Sequence, residues 1–182
     1  MMSQKKYLFD SDSLIVAKNT HYSPDFCSAF WEWIVTGNQQ QIFFTIDRVA
    51  DEFMLGNEGD YLRSFVEEHN EHFVLPTKND SQCLAKYAQL QNWANTDWVN
   101  GKNHSKTAKA LEVFAKEKTA DSWLVSYASA KGYEIVTNER SSPESQTRVM
   151  LPDAATAMGV KVVKLYEVLA LHSGPNFLFK LK

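Results

Sequence analysis

Four acidic residues lie where a carboxylate could do chemistry. Asp10 directly follows the first apolar run of the chain, and Glu139 follows a later one. Asp121 and Glu52 lie in segments with helical spacing, on the same stripe as neighbouring apolar residues. An inward-facing carboxylate is costly unless its charge is compensated, and a divalent cation is one such partner. The four acids therefore form a candidate metal site.

The elements that must position these acids alternate between strands and helices. Apolar runs predict strands at 6–9, 41–45, 73–75, 133–137 and 160–163. Helical spacing and caps predict helices at 23–37, 47–55, 60–69, 79–91, 121–131, 153–158 and 166–171, with a further helical face at 111–115. This alternation predicts an α/β fold with a central, mainly parallel sheet and helices on both faces. Ligands of such sheets bind at the carboxyl ends of the strands.

Two segments near the N-terminus carry detailed local signals. Ser23-Pro24-Asp25 supplies an N-cap, a proline at the first helical position and a first-turn acid. The aromatic-rich stretch Phe26–Ile34 then has helical spacing, and Gly37 is expected to end the helix. Its aromatic face serves either the core, which we favour, or a subunit interface. Asp10-Ser11-Asp12-Ser13 is expected to form a polar turn.

Each acid also has a structural explanation. Asp10 is compatible with a turn after a strand, and Glu52 with an i, i+4 ion pair to Arg48. Asp121 is compatible with a favourable charge at a helix N-terminus, and Glu139 with a solvated loop. Because several of these acids fall at the predicted ligand edge of the sheet, we favour a shared site.

Composition restricts the class of protein. The chain has 182 residues, 44% of them hydrophobic, which is enough for one buried core. It shows no repeat or Ser/Gly linker, so we expect one domain over 1–182. A net charge of −3 gives no reason to expect a general nucleic-acid coat, although a local basic patch is compatible with it. We find no membrane-span or signal-peptide pattern and expect a cytoplasmic protein without membrane partners.

Four segments of the chain together form a recognisable ordered set. They are YLFDSDSLI (7–15), VADEF (49–53), ADSWLVSYA (120–128) and IVTNE (135–139). The set resembles the PIN-domain nucleases, whose members include VapC-type toxins of bacterial toxin–antitoxin pairs. The FWEW stretch (30–33) and LPD (151–153) are similar to a PIN-like branch whose role is poorly described.

The resemblance implies a metal-dependent ribonuclease. It makes Asp10, Glu52 and Asp121 catalytic, metal-binding acids, and it places Glu139 where the family most often has Asp. Carboxylate oxygens suit Mg²⁺ or Mn²⁺, and a metal-activated water would hydrolyse RNA to leave a 5′-phosphate and a 3′-hydroxyl. The implied partners are an RNA substrate, a protein antitoxin and a second copy in a homodimer. Auxiliary positions are implied at Asp12, Thr137, Asn138 and Asp153.

Basic and aromatic residues near these elements are candidates for substrate contacts. Arg48 and Arg140, with Lys131 and Arg148 as further candidates, would bind phosphates; the alternative for each is a solvated surface charge. Trp98 would stack on a base or pack on a helix.

Two other functions remain open. The segment 9–13 also resembles the opening motif of haloacid-dehalogenase-type phosphatases, in which Asp10 would be the nucleophile. That family needs a later Lys and a paired-acid motif on a strand end, and the segment 136–139 is a poor version of the paired-acid motif. Because Glu139 replaces an Asp, a non-catalytic PIN-like module that binds RNA or protein is the third interpretation.

Overall fold

A parallel sheet organises the structure. The computed structural model describes residues 4–95, 106–116 and 119–181. Within these ranges, five strands form one sheet in the order β3-β2-β1-β4-β5, and every neighbouring pair is parallel. The strands are β1 (Tyr7–Phe9), β2 (Phe43–Ile46), β3 (Val74–Leu75), β4 (Glu134–Val136) and β5 (Val162–Val163). The first strand of the chain is thus the central strand of the sheet.

Helices connect the strands and flank the sheet on both faces. They are α1 (Ser11–Asn19), α2 (Ser28–Gln39), α3 (Asp47–Met54), α4 (Tyr61–Phe73), α5 (Ser81–Ala94), α6 (Ala108–Phe114), α7 (Ala120–Lys131), α8 (Leu151–Ala157) and α9 (Leu165–His172), followed by a 3₁₀ turn at Pro175–Phe177. The predicted α/β class with a parallel sheet is confirmed. A search of the described helices finds none long and apolar enough to cross a membrane.

The central strands are continuous apolar runs because the sheet is covered on both faces. Every residue of β1 is fully buried. The aromatic face of α2 lies in the core, where the Trp33 indole nitrogen donates a hydrogen bond to the carbonyl of His172 at 2.9 Å. The Phe43 ring packs edge-on against both of these side chains. These contacts tie the last helix to the centre of the sheet.

The predicted polar turn at residues 10–13 is wrong, since α1 begins there. Asp10 has extended backbone and precedes the first helical residue. The Ser13 hydroxyl donates to the Asp10 carbonyl at 2.7 Å, and Leu14 and Ala17 are buried. Ser and Asp favour both turns and the first helical turn, so their local preference does not distinguish a turn from a helix. The helix is favoured here because it buries Leu14 and Ala17.

The predicted start and end of the second helix are also wrong. Ser23 accepts backbone hydrogen bonds from Phe26 and Cys27 in a separate turn, and the helix begins at Ser28. Phe26 is 71% exposed and therefore takes no part in the aromatic face. At the other end, the helix continues through Gly37 to Gln39. The segment 92–106 is polar apart from Trp93, Trp98 and Val99, which predicts a long exposed connection or the tip of a helical hairpin; residues 96–105 of it lie outside the described residues. The single-domain boundary stays a prediction.

Gly37 allows the close approach of α2 to β2. A Cβ atom built at this position would lie 2.0 Å from Cδ2 of Phe43.

We expect Gly37→Ala to lower the free energy of unfolding by about 1–3 kcal/mol through overpacking, although Ala favours helix by ~1 kcal/mol. Denaturant unfolding measures the change. The control Gln39→Ala, on an exposed position of the same helix, should stay within about 0.5 kcal/mol of the parent; a Gly37→Ala variant as stable as this control would contradict the close contact.

Candidate active site

Carboxylates from distant parts of the chain meet in one cleft. Asp10 follows β1, Glu139 follows the neighbouring β4, and Asp121 lies in the first turn of α7. With Asp12 and Glu52 they line a cleft of about 520 Å³ at the carboxyl end of the sheet. The structure therefore brings together the four acids that the sequence predicted as catalytic, together with the auxiliary acid of α1.

The position of Asp10 is set by the pairing of β1 with β4. Phe9 lies opposite Val136 in the sheet, and the Asp10 amide donates to the Val136 carbonyl at 3.0 Å. The next residue of that chain segment, Thr137, donates from its hydroxyl to Asp10 Oδ2 at 2.7 Å. The same hydroxyl oxygen accepts from the Glu139 amide at 3.2 Å. Thr137, predicted as auxiliary, thus links two of the acids.

Burial and the charges of neighbouring acids raise the pKa values of Asp10 and Asp121. Asp10 is 3% exposed, and this burial raises its pKa to about 7, with Asp121, Glu139 and Glu52 adding to the rise and the Thr137 hydroxyl opposing it. Burial also raises the pKa of Asp121 to about 6; the carboxylate of Glu139 adds to this rise. The cleft therefore carries negative charge that a cation would stabilise.

Arg148 forms ion pairs with two of these acids. Its Nη2 atom lies 3.5 Å from Asp121 Oδ2 and forms a shorter ion pair with Glu139 Oε1. The other Glu139 oxygen accepts from the Leu151 amide at 3.2 Å. The sequence offered Arg148 only as a phosphate contact or a surface charge, because nothing local indicates which acids it meets.

Lys164 is a residue of this edge that the sequence analysis missed. Its Nζ atom donates to the backbone carbonyls of Thr137 at 3.1 Å and Glu139 at 2.7 Å, and so fixes the segment that carries Glu139. Lys164 directly follows β5. Its place after a strand, at the same edge as Asp10, was the signal that could have identified it.

Two predicted auxiliary residues lie away from the cleft lining. The Asp153 carboxylate accepts hydrogen bonds from the Ser141 hydroxyl and, at 3.1 Å, from the Ser142 amide, so it holds the loop after β4. Asn138 lines a different, smaller cavity between α1 and α9.

Apart from Arg148, the predicted phosphate-binding residues also lie outside the cleft lining. The Arg48 guanidinium lies over the Trp123 ring, 5.2 Å from its centre. Arg140 is exposed on the loop after β4. Lys131 pairs with Asp80 at 2.7 Å, on the α5 side of α7. Trp98 lies outside the described residues.

The donor chemistry of the cleft fits Mg²⁺ or Mn²⁺, but the present arrangement does not form a complete site. Hard carboxylate oxygens with raised pKa values suit either ion. Among the residues that the structure describes, no three His, Cys, Asp or Glu side chains are already grouped as metal ligands. Arg148 contacts both Asp121 and Glu139, so an ion shared by these two acids requires its guanidinium to move.

Comparison with known proteins assigns the chain to a family. The model of DUF4411, a domain of unknown function, matches residues 7–173, so the chain belongs to the DUF4411 family. None of the curated proteins matches it. A similar solved structure is a chain of VapBC2 from Rickettsia felis bound to a DNA fragment from their promoter; it is 11% identical, with a TM-score of 0.49 over 87% of this chain and 97% of that chain.

The raised pKa of Asp10 predicts a pH-dependent loss of stability. The stability that this carboxyl group contributes is complete below its ordinary pKa and is lost as the pH rises through about 7. Asp10→Asn keeps an oxygen for the Thr137 hydroxyl but cannot ionise. In EDTA at pH 8, we expect this variant to have a free energy of unfolding higher than the parent by on the order of 3 kcal/mol, with the difference vanishing near pH 4.

Denaturant unfolding between pH 4 and pH 8 measures this difference. Glu71→Gln, which removes an exposed acid from α4, is the control and should follow the parent curve. Parallel curves for the Asp10 variant and the parent would contradict the electrostatic cost assigned to the buried carboxylate.

Proposed function

We propose that this protein is a metal-dependent, PIN-type endoribonuclease that acts as the toxin of a toxin–antitoxin pair. The observation that carries the proposal is the meeting of Asp10, Asp121 and Glu139 in one cleft at the carboxyl end of a parallel sheet. Asp10 and Asp121 have pKa values raised by burial and by the charges of neighbouring acids, which is a typical state for a cation site before the ion binds.

The proposed cofactor is Mg²⁺ or Mn²⁺, held by Asp10, Asp121 and Glu139, with Glu52 at the exposed rim of the cleft. A bound ion supplies Lewis acidity that activates water and offsets charge on a phosphodiester. The chain's own residues prepare the ligands: the Thr137 hydroxyl orients Asp10, and the Leu151 amide orients Glu139. The products would be a 5′-phosphate and a 3′-hydroxyl.

The proposed substrate is RNA, and the cleft has neighbouring surfaces that suit it. Arg148 lies at the mouth, and Arg140 is exposed on the adjoining loop; both are proposed to contact phosphates. A mainly apolar groove of about 570 Å³ shares Asp121 and Arg148 with the cleft and offers a surface for a base. A cytoplasmic location, a protein antitoxin and a homodimer belong to the same proposal.

A non-catalytic binding module is the second candidate. It is favoured by the contacts of Arg148, which already pairs with Asp121 and Glu139, while the described acids do not form a ready ligand set. A phosphatase that uses Asp10 as a nucleophile is less well supported, because that carboxylate is buried and accepts a hydrogen bond from Thr137. Trapping of an aspartyl-phosphate on Asp10 would favour the phosphatase.

Nuclease activity is tested directly on RNA. With Mn²⁺ or Mg²⁺, we expect the parent to cleave single-stranded RNA and EDTA to abolish cleavage. Asp10→Asn and Asp121→Asn should lower the rate by more than about a hundredfold, because each removes a charged ligand. Gel analysis and end-labelling measure the rate and the product ends.

The Glu71→Gln control should keep the parent rate. Equal activity of the Asp10 and Asp121 variants and the parent would defeat the proposed site. A folded parent that cleaves no RNA would favour the binding module.

The toxin role is tested in growing cells. We expect expression of the parent chain in a bacterial host to arrest growth, because a ribonuclease consumes cellular RNA. Expression of Asp10→Asn to the same level should permit growth, and co-expression of the product of a neighbouring gene should relieve the arrest by the parent. Colony counts and protein levels measure the outcome. Normal growth at high levels of active parent protein would argue against a toxin.

A further inference from the structure

Arg148 occupies the oxygens that a metal ion would need. We infer that Arg148 is an internal competitor for the metal: its guanidinium compensates Asp121 and Glu139 in the metal-free protein and must be displaced for the ion to bind. This inference rests on the proposed metal-dependent function and describes its regulation. The affinity for the ion then depends on Arg148 as well as on the acids.

The geometry places the guanidinium between two less accessible carboxylates. The Asp121 and Glu139 side chains are 20% and 14% exposed, whereas the Arg148 side chain is 55% exposed. The arginine therefore reaches the acids from the solvent side of the cleft. A side chain in this position can leave toward solvent without passing through the core.

The backbone that carries Arg148 is held independently of the guanidinium. Lys106 donates from Nζ to the carbonyls of Ser145 and, at 2.9 Å, of Arg148. The Thr107 amide donates to the Gln146 carbonyl at 2.8 Å. Because these bonds involve main-chain atoms of residues 145–148, the Arg148 side chain can change rotamer while the loop stays in place.

Two acids of the cleft, Glu139 and Asp10, are also held by groups other than Arg148. The Leu151 amide binds Glu139 Oε2 at 3.2 Å, and the Thr137 hydroxyl binds Asp10 Oδ2 at 2.7 Å. These bonds do not involve the guanidinium, so Glu139 and Asp10 stay in the cleft when it leaves. Arg148 also lines the neighbouring apolar groove, beside Val113 and Val149, which can accommodate its displaced aliphatic stem.

Charge explains why an ion can win this competition. The guanidinium brings one positive charge to the two acids, whereas Mg²⁺ or Mn²⁺ brings two and also coordinates the oxygens directly. Binding of the ion breaks the ion pairs of Arg148. The free energy lost with these pairs lowers the affinity for the metal. Because the arginine is half exposed, salt screens its ion pairs and should reduce this cost.

The experiment is a Mn²⁺ titration of the full chain, with free Mn²⁺ measured by electron paramagnetic resonance. We expect Arg148→Gln and Arg148→Ala to bind Mn²⁺ with a dissociation constant roughly five- to tenfold lower than that of the parent. Arg148→Lys, which keeps the charge but lacks the planar fork, should lie between them and the parent. Arg63→Ala removes the same charge from α4, where Arg63 pairs with Glu67 outside the cleft, and should bind as the parent does.

The outcomes separate this inference from the proposed function. If the parent binds Mn²⁺, and Asp121→Asn does not, the metal site stands; equal or weaker binding by the Arg148 variants then overturns the competition alone. If neither the parent nor any Arg148 variant binds Mn²⁺, the proposed metal-dependent function and the inference both fail. Circular dichroism in EDTA verifies folding, and the retained charge of Arg148→Lys keeps the test valid if a neutral variant does not fold.

Discussion

A carboxylate buried at the end of the central strand constrains the rest of the structure. Asp10 follows β1, which pairs with β2 on one side and β4 on the other, so its side chain is enclosed by neighbouring strand ends. Ionising a carboxyl group in such surroundings is costly. One buried hydroxyl, that of Thr137, partly offsets the cost. The other charged groups of the cleft, among them Asp121, Glu139 and Arg148, therefore lie around a carboxylate whose charge is already unfavourable.

Four acids near the carboxyl edge of the sheet fall into two groups according to their partners. Asp47 follows β2, and its two oxygens accept from the hydroxyl and the amide of Thr77, so this acid joins the ends of β2 and β3. Asp153 is bound in a similar way by the loop after β4. Asp10 and Asp121 instead have raised pKa values. Fully bonded acids stabilise the fold, whereas the undercompensated ones point to function.

The sequence predicted what depends on local pattern. Buried runs located the central strands, and α7 ends at Gly132 as expected, since this residue has a positive φ of 76°. The start of α1 was missed because its Ser and Asp residues suit a turn equally well. Asp10 and Glu139 could be predicted from their places after strands, and Glu52 and Asp121 from their helical spacing, but the contacts of Arg148 and Lys164 could not. These contacts depend on where separate loops meet, and no spacing within the sequence records that.

The hydrogen bond between Asp10 and Thr137 joins residues 127 positions apart. The central strand is made first, yet its neighbour β4 belongs to the last third of the chain. A ribosome that has produced only the N-terminal half has therefore made an acid without its hydroxyl partner, and β1 waits with one edge unpaired. The cleft can form only after Glu139 and Arg148 have been synthesised, which separates translation of the first strand in time from any chemistry that the cleft performs.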